Sequence, residues 1–144
     1  MRADYLNENS ASTFSLLKKC ERIKVARTLA AADSGKVFFL DSAGGAYSIT
    51  LPTASNGEAG INYKFIVEEE TPTAAITLAA GSAIVSLVMK DAGGNASNST
   101  AGTQVSNIVI GTSAQKGDYI NMLWFGGEWV AECMSGIDDA VTTS

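Results

Sequence analysis

From Ile23 to Met134 apolar and polar residues alternate with a period of two, and turn-forming residues interrupt the alternation at short intervals. That period predicts extended strands with one face turned inward. Ile23 to Leu29 alternates roughly and gives way to a turn at Ala32-Asp33-Ser34-Gly35. Lys36-Val37-Phe38-Phe39-Leu40 reads as a strand ending in the loop Asp41-Ser42-Ala43-Gly44-Gly45. Tyr47-Ser48-Ile49-Thr50-Leu51 is a second strand, stopped by Pro52, which has no amide hydrogen to offer a ladder. Asn62 to Val67, Ala75 to Leu78, Ala83 to Met89 and Val105 to Ile110 continue the series. The last two apolar runs, Tyr119 to Phe125 and Glu128 to Met134, flank Gly126-Gly127, a pair that takes positive φ without strain and so predicts a β-hairpin. Short strands with regular turn signals predict an all-β, single-domain fold, an antiparallel β-sandwich or jelly roll. The inward set includes Phe38, Leu40, Tyr63, Phe65, Trp124 and Trp129 as core anchors. Tyr119 and Phe125 stand apart from it as candidates for a sugar-binding surface.

Residues 1–22 depart from the pattern. Phe14, Leu17 and Cys20 follow Ser12 and Thr13 at helical spacing, which predicts one or two helical turns. So short a segment is not stable alone and must pack on the body or on a neighbouring subunit. Charge divides in the same region. Residues 1–27 hold Arg2, Lys18, Lys19, Arg22, Lys24 and Arg27 against Asp4, Glu8 and Glu21, a net of +3; the rest holds 4 basic and 12 acidic residues, a net of −8. The expected organisation is an N-terminal basic and apolar arm over 1–22, a β-body over 23–136 and a C-terminal tail over 137–144. Phe14, Leu16, Leu17, Lys18, Lys19, Arg22 and Lys24 are the candidate interface residues of the arm.

The chain has no histidine, which removes the usual general base, the Ser-His-Asp and Cys-His arrangements, and the commonest metal ligand. Cys20 and Cys133 are too few and too far apart in sequence for a zinc cluster. They could pair once, but Cys133 lies in an apolar strand and reads as a buried free thiol. The glycine pairs lack the Gly-x-Gly-x-x-Gly and Gly-Lys-Ser/Thr patterns of phosphate loops. Glu68 and Glu70 would share a strand face and could supply an acid and a base, or oxygens to calcium; a solvated strand end is the simpler reading, as it is for Asp138-Asp139. Asn95-Ala96-Ser97 and Asn98-Ser99-Thr100 match glycosylation sequons and read as polar loop composition. A net charge of −5 and a pI near 4.6 argue against nucleic-acid binding. No apolar run approaches the length of a membrane span, and no secretory leader is visible. The expectation is a soluble protein made in the cytoplasm, with no enzymatic activity, cofactor or metal.

The stretch Thr28 to Asp41 (TLAAADSGKVFFLD), then Ile49-Thr50-Leu51-Pro52, Gly60-Ile61-Asn62-Tyr63-Lys64-Phe65-Ile66-Val67, Gly117-Asp118, and Trp129 before Ser135-Gly136 resembles small β-sandwich modules of tailed-bacteriophage virions. Such modules occur as capsid decoration (cement) proteins and in tail-fibre or tail-associated proteins. The resemblance spans about residues 24–136 and carries over no catalytic residue. It implies a decoration protein on the capsid surface that bridges major capsid protein subunits and forms a closed homo-oligomer, a trimer. The other implied role is a tail-fibre or adsorption module that binds host glycans through Tyr119, Phe125 or the loop from Asn95 to Thr103.

Overall fold

The period-two expectation is met side chain by side chain in the computed structural model, which describes residues 18–53, 59–90 and 105–144. On β4 (Tyr47–Leu51), Tyr47, Ile49 and Leu51 are buried while Ser48 and Thr50 are exposed. The other strands are β1 (Cys20–Ile23), β2 (Arg27–Thr28), β3 (Val37–Leu40), β5 (Asn62–Val67), β6 (Ile76–Lys90), β7 (Val105–Ile110), β8 (Tyr119–Phe125), β9 (Glu128–Met134) and β10 (Val141–Thr143). The one helical piece among the described residues is a 3₁₀ turn at Ala31–Asp33. The fold is all-β and sandwich-like, with two mixed sheets of five strands each. One sheet, here sheet I, holds β1, β3, β5, β8 and β9; the other, sheet II, holds β2, β4, β6, β7 and β10. β6 is long enough to belong to both layers: its first half pairs with β4 and β7, its second half with β9. The register shifts between Ala79 and Ile84 and again between Val85 and Leu87, where the strand leaves one partner set for the other.

Strand direction differs from the antiparallel expectation. Up to β6 the chain passes back and forth between the sheets, and each return lies parallel to its predecessor: β1 with β3, β3 with β5, β2 with β4, β4 with β6. The first half of the molecule is therefore a parallel coil. A parallel return needs a connection of a dozen or more residues, and here each connection contains a strand of the opposite sheet. Antiparallel pairing begins only with β7 on β6 and β8 on β5, and is completed by the β8–β9 hairpin and by β10 on β7. The hairpin turn is as expected: Gly126 and Gly127 have φ of +65° and +92°, values a side chain would make strained.

All six expected anchors are buried, each at 2% exposure or less. Phe38 stacks on Phe65 at 5.7 Å, Tyr63 meets Trp129 at 5.6 Å, and Trp129 meets Trp124 edge to face at 5.3 Å. The rings thus form a continuous run through the interior of sheet I. Two buried tyrosines tie this interior to the coil's backbone: Tyr47 Oη donates to the Ile23 carbonyl (2.8 Å) and Tyr63 Oη to that of Ala30 (2.7 Å). Burial pushes both phenols up to about 12.

Two expected boundaries shift. Residues 20–22, assigned to the arm, are strand β1, because Cys20 to Ile23 find ladder partners in Val37 to Leu40. Residues 137–144, assigned to a tail, contain β10, with Ala140 and Val141 buried against the core. The expected helical turns around Phe14 and Leu17 and the loop from Asn95 to Thr103 lie outside the described residues.

Candidate binding face

Of the expected interface residues, Lys18 and Lys19 are exposed, while Phe14, Leu16 and Leu17 lie outside the described residues. Arg22 and Lys24 are engaged within the body. The Arg22 guanidinium grips both oxygens of Glu68, with Nε to Oε2 at 2.6 Å, a fork-on-fork geometry that fixes orientation as well as charge. Lys24 Nζ sits 2.7 Å from Asp41 Oδ2. That ammonium, the Ala43 amide and the neighbouring Glu69 hold the Asp41 carboxyl down at about 2. Further along, Lys36 bridges Glu21 and Asp33 at 3.0 and 2.7 Å, and Arg27 contacts both carboxylates while lying 5.3 Å above the Phe38 ring. Both carboxyls are lowered, chiefly by the Lys36 hydrogen bond. The basic residues from Arg22 to Lys36 therefore pin the coil together.

The acidic residues are likewise structural. Glu68 belongs to Arg22, and Glu69 accepts from the Ser42 hydroxyl at 2.7 Å. Ser42, fully buried, also accepts from the amides of Thr73 and Ala74. This joins the β3 end to the start of β6. Among the described residues no group of three histidines, cysteines or carboxylates is placed to hold a metal ion, and no helix is long and apolar enough to cross a membrane. The two cysteines are free, Cys20 exposed and Cys133 buried. Burial pushes the Cys133 thiol up to about 12.

One polar centre escaped the sequence reading. Asp118, buried beside the first residue of β8, accepts from the Gln115 amide (2.8 Å), the Gly136 amide (2.8 Å) and the Ser135 hydroxyl (3.0 Å). It clasps the segment entering the hairpin to the segment leaving it. The only sequence signal is an aspartate after Gly117 at the head of an apolar strand, a pattern that also marks ordinary turns.

The feature that stands out lies on the outside of sheet I. Register places Arg22, Phe39, Ile66, Tyr119 and Met134 in one row across β1, β3, β5, β8 and β9. Phe39, Ile66 and Tyr119 are half-buried and Met134 is exposed, so four successive outward positions of that row are apolar. Lys64 Nζ lies 4.6 Å over the Tyr119 ring. At the other end of the face, Leu123 and Val130 pair outward and are 43% and 38% exposed. Together with Val37 they floor a groove of about 580 Å³, rimmed by Lys18, Lys36, Lys64, Asn121 and Glu132. Phe125, at the hairpin tip, is 66% exposed. A sheet needs only one apolar face to fold, whereas β3, β5, β8 and β9 carry apolar residues on both. The signal was present in the sequence as unbroken apolar runs, Val37 to Leu40 and Met122 to Phe125.

No protein-family model matches this chain, and no curated protein matches it.

Proposed function

We propose that this chain is a non-enzymatic virion structural module, a capsid decoration protein of the tailed-bacteriophage kind, that adheres to the shell through the outer face of sheet I. The observation that carries the reading is the apolar row Phe39, Ile66, Tyr119 and Met134, turned away from a core that is already complete. An adhesive subunit needs a rigid scaffold with a broad apolar patch and a polar rim. The strand pattern between residues 24 and 136 supports the virion setting. The polar networks at Asp41, Glu68 and Asp118 hold strands together. The partner is the major capsid protein, and a closed trimer bridges its neighbouring copies.

Labelling the protein on its virion tests the reading. Many copies spread over the capsid are expected. A few copies at the tail tip favour the second reading, glycan adsorption, for which the projecting Phe125 ring supplies a stacking surface. Complete absence from purified particles overturns both.

A further inference from the structure

The outer face of sheet I carries charges in a self-complementary arrangement. Register sets Lys64, Asn121 and Glu132 in one row across β5, β8 and β9. The row on one side of it is Ile66, Tyr119 and Met134, and the row on the other is Asn62, Leu123 and Val130. Lys64 and Glu132 therefore stand one strand to either side of β8. The cations nearer β1 are committed within the body: Arg22 to Glu68, Lys24 to Asp41, and Lys36 to Glu21 and Asp33. Lys64 instead lies over the Tyr119 ring, and Glu132 accepts from the Asn121 side-chain amide at 3.1 Å. Among the described residues neither has a partner of opposite charge.

We propose that two copies of this chain pack these faces together about a two-fold axis running along β8. That operation carries β5 of one copy over β9 of the other and leaves the rows in line. Lys64 then faces Glu132 of the second copy, twice over, and Ile66 faces Met134. Tyr119 and Leu123 each meet themselves across the axis. Val130 comes to lie over Asn62, in the groove of about 580 Å³ that Asn62 lines. The other two-fold, running across the strands, would set Lys64 on Lys64 and Glu132 on Glu132, and like charges oppose it. An axis along β8 also keeps the strands of the two copies aligned, as stacked sheets prefer at about 30°. At that angle a residue one strand off the axis moves by only about 2.5 Å, within reach of a lysine. The overlap covers β3, β5, β8, β9 and the second half of β6, about 24 Å across and about 20 Å along β8. This is less than the roughly 800 Å² per partner of a standard interface, so the pair is a weak one that separates on dilution. The pairing goes beyond the virion reading and does not need it. It belongs to the free protein, and it uses the face proposed to meet the shell, so the copies part before that face docks.

The test weighs the free full-length protein by sedimentation between about 1 and 100 µM. The wild type is expected to shift from monomer toward dimer over that range. Lys64→Glu and Glu132→Lys, each folded by circular dichroism, should weaken association about ten-fold or more, because each homodimer then sets two like-charged pairs face to face. Mixed one to one, the two variants should associate again as heterodimers, since both contacts across the axis once more join opposite charges. Effects confined to one chain do not produce that recovery. A wild type that stays monomeric or forms trimers overturns the proposal without recourse to any variant. So do variants that associate as the wild type does, or a mixture that associates no better than its components. Shell binding is read on particles, so failure of the pair is distinguishable from failure of the virion reading.

Discussion

The two sheets share one interior and present opposite exteriors. Outside sheet II, register aligns Ser48, Thr77, Val109 and Thr142 in one row and Thr28, Thr50, Ala79 and Asn107 in the next. These are small, mostly hydroxyl-bearing residues with no charge, the composition of a surface that stays in water. Outside sheet I the rows hold Phe39, Ile66, Tyr119 and Met134, then Val37, Lys64, Asn121 and Glu132, then Asn62, Leu123 and Val130, so large apolar side chains alternate there with a mostly polar row. Folding alone would be served equally well by either exterior. The difference points to a use for sheet I beyond stability.

Changes in the shared interior set the scale for that comparison and should harm both sheets alike. Trp129→Ala removes the ring that joins Tyr63 to Trp124 and should cost about 4 kcal/mol in chemical denaturation. A loss below about 1 kcal/mol would mean that the aromatic run is not the core it is described as. Asp118→Ala strips the acceptor from two amides and a hydroxyl and should cost about 3 kcal/mol. Its effect should fall on the β8–β9 hairpin first, visible as faster amide exchange there than in β4.

Exterior substitutions separate the faces. Leu123→Ser and Val130→Ser should change stability by less than about 1 kcal/mol and lower dye or partner binding, while Thr50→Ala and Ser48→Ala should leave both properties unchanged. Equivalent effects on the two faces would dissolve the distinction.

Titration probes the two sheets together. Tyr47 in sheet II, and Tyr63 and Cys133 in sheet I, are all raised to about 12 by burial. The unfolded chain ionises first, near pH 8.5 for the thiol and near 10 for the phenols. Stability is then fully present below about pH 8.5 and falls as pH climbs toward 12. At the acid end Asp41, held down at about 2, contributes stability above about pH 4 that is lost as pH falls toward 2, and the lowered Asp33 and Glu21 act in the same direction. Lys24→Ala should move the acid unfolding midpoint upward, read by tryptophan fluorescence. The smallest effect is chemical: a thiol reagent should label Cys20 in the native protein and reach Cys133 only in denaturant.

Much of this was legible in the residues. The alternation in Tyr47 to Leu51 and Asn62 to Val67 identifies strands and their buried sides, and Gly126-Gly127 identifies the hairpin. Strand direction was not legible, because a period of two is the same in parallel and antiparallel sheets. Parallel strands usually betray themselves by being apolar on both faces, but β4 exposes Ser48 and Thr50 and so looks antiparallel. The β1 ladder was hidden by charge: Glu21 and Arg22 seem to belong to a solvated arm until Lys36 and Glu68 are brought alongside by the fold. β10 was hidden by brevity, since Val141–Thr143 follows two aspartates and pairs only with the far edge of sheet II. The apolar outer face of sheet I was half legible. Double-sided apolar runs were visible in Val37 to Leu40, but which member of each run points outward depends on a register that only the assembled sheet supplies.

The proposed adhesive role of sheet I is tested most directly by a matched pair of substitutions. Ile66→Asp and Thr77→Asp each place one carboxylate on a half-buried outward position of a central strand, the first on sheet I and the second on sheet II. Binding of the two full-length variants to virion particles lacking the protein should be at least ten-fold weaker for Ile66→Asp and unchanged for Thr77→Asp, with both variants folded by circular dichroism. Undiminished binding by folded Ile66→Asp, or an equal loss from Thr77→Asp, would contradict the account.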